Sequence, residues 1–278
     1  MPDYLIREFD SVEDHRACVE LQKRVWAGDD AVPSNITITI QRHGGLALGA
    51  FDTTTGRMIG FVLSLLSQSH HAGAIRGLSH HSHIAAVEPE LQGHGIGEAL
   101  KLAQAEQCKS RGINLITWTV DPLESKNARL NIGKLGCICR TYIRNCYGEM
   151  QDALNKGLPS DRFEVEWWLD KDAGGATQSN LPERSASRSS NSKDDLQIEI
   201  PRDFQEIKKR DLKEALEIRL KTREQFERAF DEGYVVVDFA LLLERAYYSL
   251  IKYSPNPPTH RTITSKKIRR HRRGSSRQ

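Results

Sequence analysis

Residues 87–97 read V-E-P-E-L-Q-G-H-G-I-G. An apolar run, Ile84 to Val87, leads in, and a helix-like run from Glu98 to Ser110 leads out. A strand, a glycine-rich turn and a helix start together make an anion site. The first amides of a helix have no intrahelical acceptor, and the helix dipole favours negative charge there. Gly93, Gly95 and Gly97 carry no Cβ, so a phosphate can come close to the main chain. Alternate glycines suit donors that are backbone amides, because a side chain would only screen them.

The dinucleotide fingerprint G-x-G-x-x-G does not fit, since the glycines here are spaced G-x-G-x-G, and no Gly-Lys-Ser/Thr follows to make a P-loop. The pattern V-x-P-x-x-Q-G-x-G-I-G instead resembles the pyrophosphate-binding motif of the GNAT superfamily of acetyltransferases. The resemblance implies that Gln92, Gly93, His94, Gly95, Ile96 and Gly97 hold the pyrophosphate of acetyl-CoA, or of another acyl-CoA, used as co-substrate. The rest of the chain to about residue 170 follows the same order of elements. Tyr4 to Phe9 predicts a strand, and Ser11 caps a helix ending near Gly28. Pro33-Ser34 opens a second helix. Leu46–Phe51 and Met58–Leu66 read as two apolar strands joined by the polar turn 52–57, Ser79–Val87 as a further strand, and the His-rich stretch 67–77 as a loop. After the motif helix come a strand at 114–120, a helix at 125–135 stopped by Gly136, and strands at 137–145 and 163–169. This βααβββαβαββ order looks like the GNAT fold, an α/β class with a mixed, mostly antiparallel central sheet flanked by helices. Ser125-Lys126-Asn127-Ala128 and Lys134-Leu135-Gly136 resemble the family's segment beside the pantetheine arm, which makes Asn127 a candidate hydrogen-bond donor to it. The runs W-T-x-D-P-L, N-A-x-L-N and N-x-G-L-P-S-D-R resemble a group of GNAT proteins whose substrate is unassigned.

Composition divides the chain. Residues 1–170 are expected to form the acyl-CoA-binding domain and the Ser-rich segment 171–195 a flexible linker. Residues 196–253 predict a strand, a charged helical region from Asp203 to Glu232, and two further strands. So small an α+β module has too little core to stand alone, and is expected to dock on the first domain or add strands to its sheet. From Ser254 onward there are eight Lys or Arg and no acid, so the remainder has 32 basic against 37 acidic residues, a net of −5. The excess positive charge is therefore confined to a tail expected to be disordered. Nucleic acid is a partner only through that tail, which lacks aromatic residues for base stacking.

No apolar run approaches the roughly 20 residues of a membrane helix, and the N-terminal residues lack a signal-peptide pattern. Five cysteines without a CxxC pair read as reduced thiols, so a cytoplasmic protein without a membrane partner is expected.

Three groups are candidates for the chemistry. Many GNAT proteins place a Glu four residues before the Val of Val-x-Pro, and that position here is His83, whose imidazole titrates in the range needed of a base. Strict alternation puts Ala85 and Val87 on the face of His83, lining an acyl tunnel. The family's proton-donating Tyr corresponds to Ile132, which leaves Tyr142 and Tyr147 as substitutes. Asp161 and Arg162, in the loop between the last two strands, are candidates for reading a charged acceptor. His70, His71, His80, His81 and His83 lack nearby acids, so no metal is expected. The reading is an acyl-CoA-dependent N-acyltransferase acting by direct attack of a small-molecule or peptide amine on the thioester. The alternatives are a non-catalytic acyl-CoA sensor or scaffold, and an acetyltransferase guided to RNA or ribosomes by its tail.

Overall fold

A computed structural model of the chain describes residues 2–26, 31–71, 74–149, 156–169, 195–242 and 245–253. The linker and tail expectations at 171–194 and 254–278 lie outside the described residues. Among the described residues ten strands form one sheet: β1 (Tyr4–Glu8), β2 (Leu46–Asp52), β3 (Met58–Gln68), β4 (Leu78–Val87), β5 (Leu115–Val120), β6 (Ile138–Ile143), β7 (Arg162–Trp168), β8 (Leu196–Pro201), β9 (Tyr234–Leu242) and β10 (Arg245–Lys252). Their order is β1-β2-β3-β4-β5-β7-β6-β9-β10-β8. Every neighbouring pair is antiparallel except β4 and β5, which run parallel.

Among the described residues six α-helices accompany the strands: α1 (Val12–Trp26), α2 (Ser34–Arg42), α3 (Ile96–Ser110), α4 (Ser125–Ala128), α5 (Phe204–Arg210) and α6 (Leu212–Asp231). The Ser11 hydroxyl accepts from the Asp14 amide and so caps α1 as its sequence predicts. The expected helix 125–135 is regular only through α4. It then widens into a π-helical turn, Arg129–Lys134, in which the Leu135 amide donates five residues back to Leu130. The charged helical region expected at 203–232 forms two helices that meet at Asp211. That residue is extended, and its carboxylate accepts from the Lys213 and Glu214 amides, ending α5 and starting α6.

The two faces of the sheet carry different layers. Cys18 and Leu21 of α1 pack on Ala47, Phe61, Leu63 and Ala86, which defines the α1 face. Ile96 and Leu100 of α3 pack on Leu48, Ala50 and Val62, on the opposite, α3 face. Further along that α3 face, Phe226 and Phe230 of α6 join Val165, Phe163 and Tyr248, with Phe163 and Phe226 in edge contact at 4.7 Å. Each such fully buried side chain contributes about 1.5–3 kcal/mol. Strands β8–β10 therefore continue the first domain's sheet through the β6–β9 pair, and share its core.

Candidate functional site

The end of β4 is fixed before the glycine loop begins. The Glu88 amide donates to the Ile59 carbonyl, and its buried carboxylate accepts from the guanidiniums of Arg24 and Arg57. Burial pushes that carboxyl up, yet the two arginines hold it below the ordinary range. Pro89–Leu91 then make one 3-10 turn, and the Gln92 side chain donates back to the Val87 carbonyl at 3.2 Å. Gly93 and Gly95 adopt φ of +81° and +88°, which L side chains rarely reach, and a Cβ at either would meet nothing within 4 Å. The space over the loop is thus open. The first backbone hydrogen bond of α3 runs from the Ala99 amide to the Gly95 carbonyl. Among the described residues no acceptor engages the amides of Gly93, Gly95, Ile96 and Gly97. These four donors lie at an open turn on the positive end of a 15-residue helix. Lys134 pairs with Glu98 at the margin of this cradle.

Beside the cradle the sheet forks. Strands β4 and β5 pair only at His80↔Ile116 and His81↔Thr117. Beyond those positions Ser82 and Ile84–Val87 keep their partners on β3 but have none on β5, so this edge of β4 is open to an extended ligand. The helix N-terminus and this open edge meet at Val87. The arrangement fits a long molecule with an anionic phosphate end and an amide-bearing arm.

His83 sits at an irregularity that the sequence pattern did not show. Leu63 pairs with Ile84 and Ser64 with Ser82, so His83 is the extra residue of a β-bulge. The bulge resets the alternation. Ile84 and Ala86 take the α1 face with Leu63 and Phe61, while Ala85 and Val87 take the α3 face with Val62. Ala85 and Val87 therefore do not share the face of His83, which corrects the alternation expected for them. His83 is exposed, but desolvation by its surroundings lowers its pKa below the ordinary value and keeps the ring neutral near pH 7. Its neighbour His81 bonds the Thr117 hydroxyl at 3.1 Å. His80 is enclosed on the other face against Ser64 at 2.9 Å, with burial pushing it down to about 4. Among the described residues no group of three His, Cys, Asp or Glu is placed to hold a metal.

The two tyrosines part company. The Tyr142 hydroxyl donates to Asp161 at 2.8 Å, its ring stacks on Phe226, and burial pushes its pKa well up. It lies on β6, two strands beyond β5, so it serves the α6 contact and not the fork. Tyr147 is exposed, and its hydroxyl lies 2.6 Å from Thr119 on the fork strand β5. Asp161 and Arg162 do not face outward either. Asp161 is fully buried and accepts from Tyr142, the Asn145 amide and both arms of Arg223. Arg162 donates to the Asp161 carbonyl and lies 3.6 Å from Asp121. These are framework bonds that tie the 145–161 loop and α6 together. Asn127 is exposed on α4, and Ile132 is buried at the position where a proton-donating Tyr was sought.

Two polar residues at the fork, Lys101 and Glu164, were not anticipated. Lys101 of α3 is buried, with its Nζ 2.7 Å from the Ser82 hydroxyl, 3.2 Å from the Gln104 carbonyl oxygen and 3.8 Å from the Trp118 ring centre. Glu164 of β7 stands beside Thr119 on the opposite face, and burial raises its pKa. One signal for Lys101 was available: a charge on the stripe Gly97, Leu100, Gln104, Cys108 that faces the sheet. Glu164 alternates with Glu166, whose carboxylate Arg140 neutralises, and nothing in the sequence separates the two roles. A surface cavity of 390 Å³ between α1 and the β2–β3 turn is lined by Glu13, Glu20, Arg24 and Arg57 among others, and includes none of the residues of the loop or the fork.

An open amide cradle on a helix start, continuous with a forked parallel strand pair, is the geometry of an anion site in an α/β fold. Residues 14–133 match the model of the Acetyltransferase (GNAT) family, and this part of the chain is a GNAT acetyltransferase domain. Among solved structures, it is similar to a GNAT superfamily phosphinothricin acetyltransferase from Sinorhizobium meliloti in complex with AcCoA. The two share 17% identity over 63% of this chain and 91% of that one, with a TM-score of 0.49. It is also similar to the ribosomal-protein-S18-alanine N-acetyltransferase from Escherichia coli, at 18% identity over 60% and 95% of the chains and a TM-score of 0.45. Ard1 from Thermoplasma volcanium aligns at 16% identity over 59% and 95%, with a TM-score of 0.44. No curated protein matches the sequence.

Proposed function

We propose that this chain transfers an acyl group from acetyl-CoA, or another acyl-CoA, to the amine of a small molecule or peptide in the cytoplasm. The observation that carries the reading is the continuity of the free amides at 93–97 with the unpaired edge of β4. The amides hold the pyrophosphate, and the open edge of β4 holds the amide-bearing arm, with Asn127 of α4 in reach from the other side. The thioester then lies in the fork, between Ser82 and Trp118.

The acceptor approaches from the α1 face. His83 projects from its bulge there, near His81 and opposite Thr119, Tyr147 and Glu164. A neutral imidazole accepts the proton that the amine must lose before its nitrogen attacks the thioester carbonyl. Glu164, half-buried and raised by desolvation, faces the same space. Tyr147 and Thr119 offer hydroxyls for orientation. Ile132 supplies no proton at the usual position, which favours a second reading in which the domain binds acyl-CoA without turnover. One experiment separates the two. Free thiol is followed after mixing the protein and acetyl-CoA with a panel of amines, alongside calorimetric titration with CoA. Thiol release that depends on one amine supports transfer. CoA binding with no release under any amine supports the sensor, and no CoA binding refutes both.

A further inference from the structure

Lys101 is a charged side chain in an expensive place. It is 7% exposed, and no carboxylate contacts it among the described residues. Burying an unpaired ammonium is costly unless a partner compensates it. What surrounds it is arranged for the charged form: the Ser82 hydroxyl oxygen, the Gln104 carbonyl oxygen and the face of Trp118 are all acceptors. The titratable groups around it are Cys108 on its own helix, Cys137 before β6 and His81 on β4. Burial holds the Cys108 thiol up at about 12, so it stays neutral, and His81 is pushed down and adds no negative charge. The protein provides a cation and withholds the anion.

The position explains the omission. Ser82 and Trp118, which flank the ammonium, are the first residues beyond the last β4–β5 pair. Lys101 thus lies at the vertex of the fork, on the α3 face, where the arm of a ligand bound at 93–97 must end. From Val87 to Ser82 the strand runs about 16 Å at the usual rise per residue. The inference rests on the acyltransferase reading given above. We propose that Lys101 is the catalytic acid of this enzyme, delivering the proton that the sulfur of coenzyme A takes up as it leaves. The amine nitrogen attacks the carbonyl carbon, the carbon–sulfur bond breaks, and its electron pair goes to sulfur. The sulfur then takes a proton from Nζ. The amine's own proton goes to His83 or to water, and Lys101 is recharged from solvent. Desolvation lowers the lysine to about 7, so the ammonium releases its proton near neutral pH. Ile132 is then no defect, because the proton comes from α3 instead of the second helix.

The test uses the whole protein with Lys101→Met and Lys101→Arg. The first readout is the absorbance of the thiolate of free CoA bound to each protein across pH. In wild type the bound thiolate should appear about one unit or more lower in pH than that of free CoA, because the thiolate and the ammonium titrate as a coupled pair and each favours the other's charged form. Lys101→Met should abolish that shift, and Lys101→Arg should keep it. The second readout is turnover. Both variants should lose about 10²-fold or more in kcat with the KM for acetyl-CoA little changed, since arginine supplies charge but no transferable proton. A bound thiol that titrates alike in wild type and Lys101→Met overturns the proposal, as does full kcat in Lys101→Arg. So does mass-spectrometric detection of the acyl group on Nζ, which would make Lys101 an acceptor. If Lys101→Met fails to fold, Lys101→Arg decides. Failure of wild type to bind CoA removes the acyltransferase reading itself. Normal CoA binding without any effect of Lys101 removes only this one.

Discussion

Replacing Gly95 by Asp tests the anion cradle directly, because the structure separates its effect on folding from its effect on binding. A Cβ at this position meets no atom within 4 Å, so no clash follows. The backbone cost is the positive φ of +88°, about 1–2 kcal/mol for an L residue. Asp is among the residues that tolerate that region, and a carboxylate at the N-cap of α3 returns part of the cost. The fold should therefore survive with a modest fall in Tm. Binding should not. A unit charge about 4 Å from a phosphate at an effective dielectric of 20 repels by about 4 kcal/mol, roughly a thousandfold in Kd. Gly95→Ala, with the same backbone cost and no charge, should lose far less. Isothermal titration with CoA, beside a circular-dichroism melt of each variant, gives both numbers. A folded Gly95→Asp protein with wild-type CoA affinity would refute the placement of the pyrophosphate on these amides.

Other outcomes follow from named contacts. His83→Gln should lower the maximal rate of acyl transfer by about 10²-fold and remove the acidic limb of its pH profile, a limb lying below the ordinary histidine range because desolvation lowers the ring; an unchanged limb assigns the base elsewhere. Lys101 binds its proton more weakly folded, at about 7 against 10.5, so the unfolded chain holds more protons in that window and stability should rise with pH from 7 toward 10. Urea melts at the two ends of the window should show that rise in wild type and not in Lys101→Met. Asp161→Ala leaves Arg223 without its carboxylate and Tyr142 without its acceptor, so it should cost about 3–5 kcal/mol in denaturant melts while CoA affinity is kept. The fragment 196–253, cut from the sheet that β9 continues, should show no cooperative thermal transition when expressed alone.

The cradle was legible in the sequence because it is local. Glycines at 93 and 95 are needed where the backbone turns to positive φ, and the helix that follows creates its own unpaired amides whatever surrounds it. The same holds for the Ser11 cap and the apolar runs of β2 and β3. The C-terminal strands and helices were also readable as elements, although only the structure set them in one sheet with the first domain. What could not be read depends on residues distant in sequence. The bulge at His83 exists because β3 pairs on both sides of it, and it moves Ala85 and Val87 to the other face. The insertion of β7 between β5 and β6 carries Tyr142 away from the fork. Asp161 and Arg162 look like a surface pair until α6 covers them with Arg223. Lys101 is one more helix lysine in the sequence. Only the packing of α3 under the vertex of two parting strands strips it of water and of any carboxylate, and so gives it a part in the chemistry.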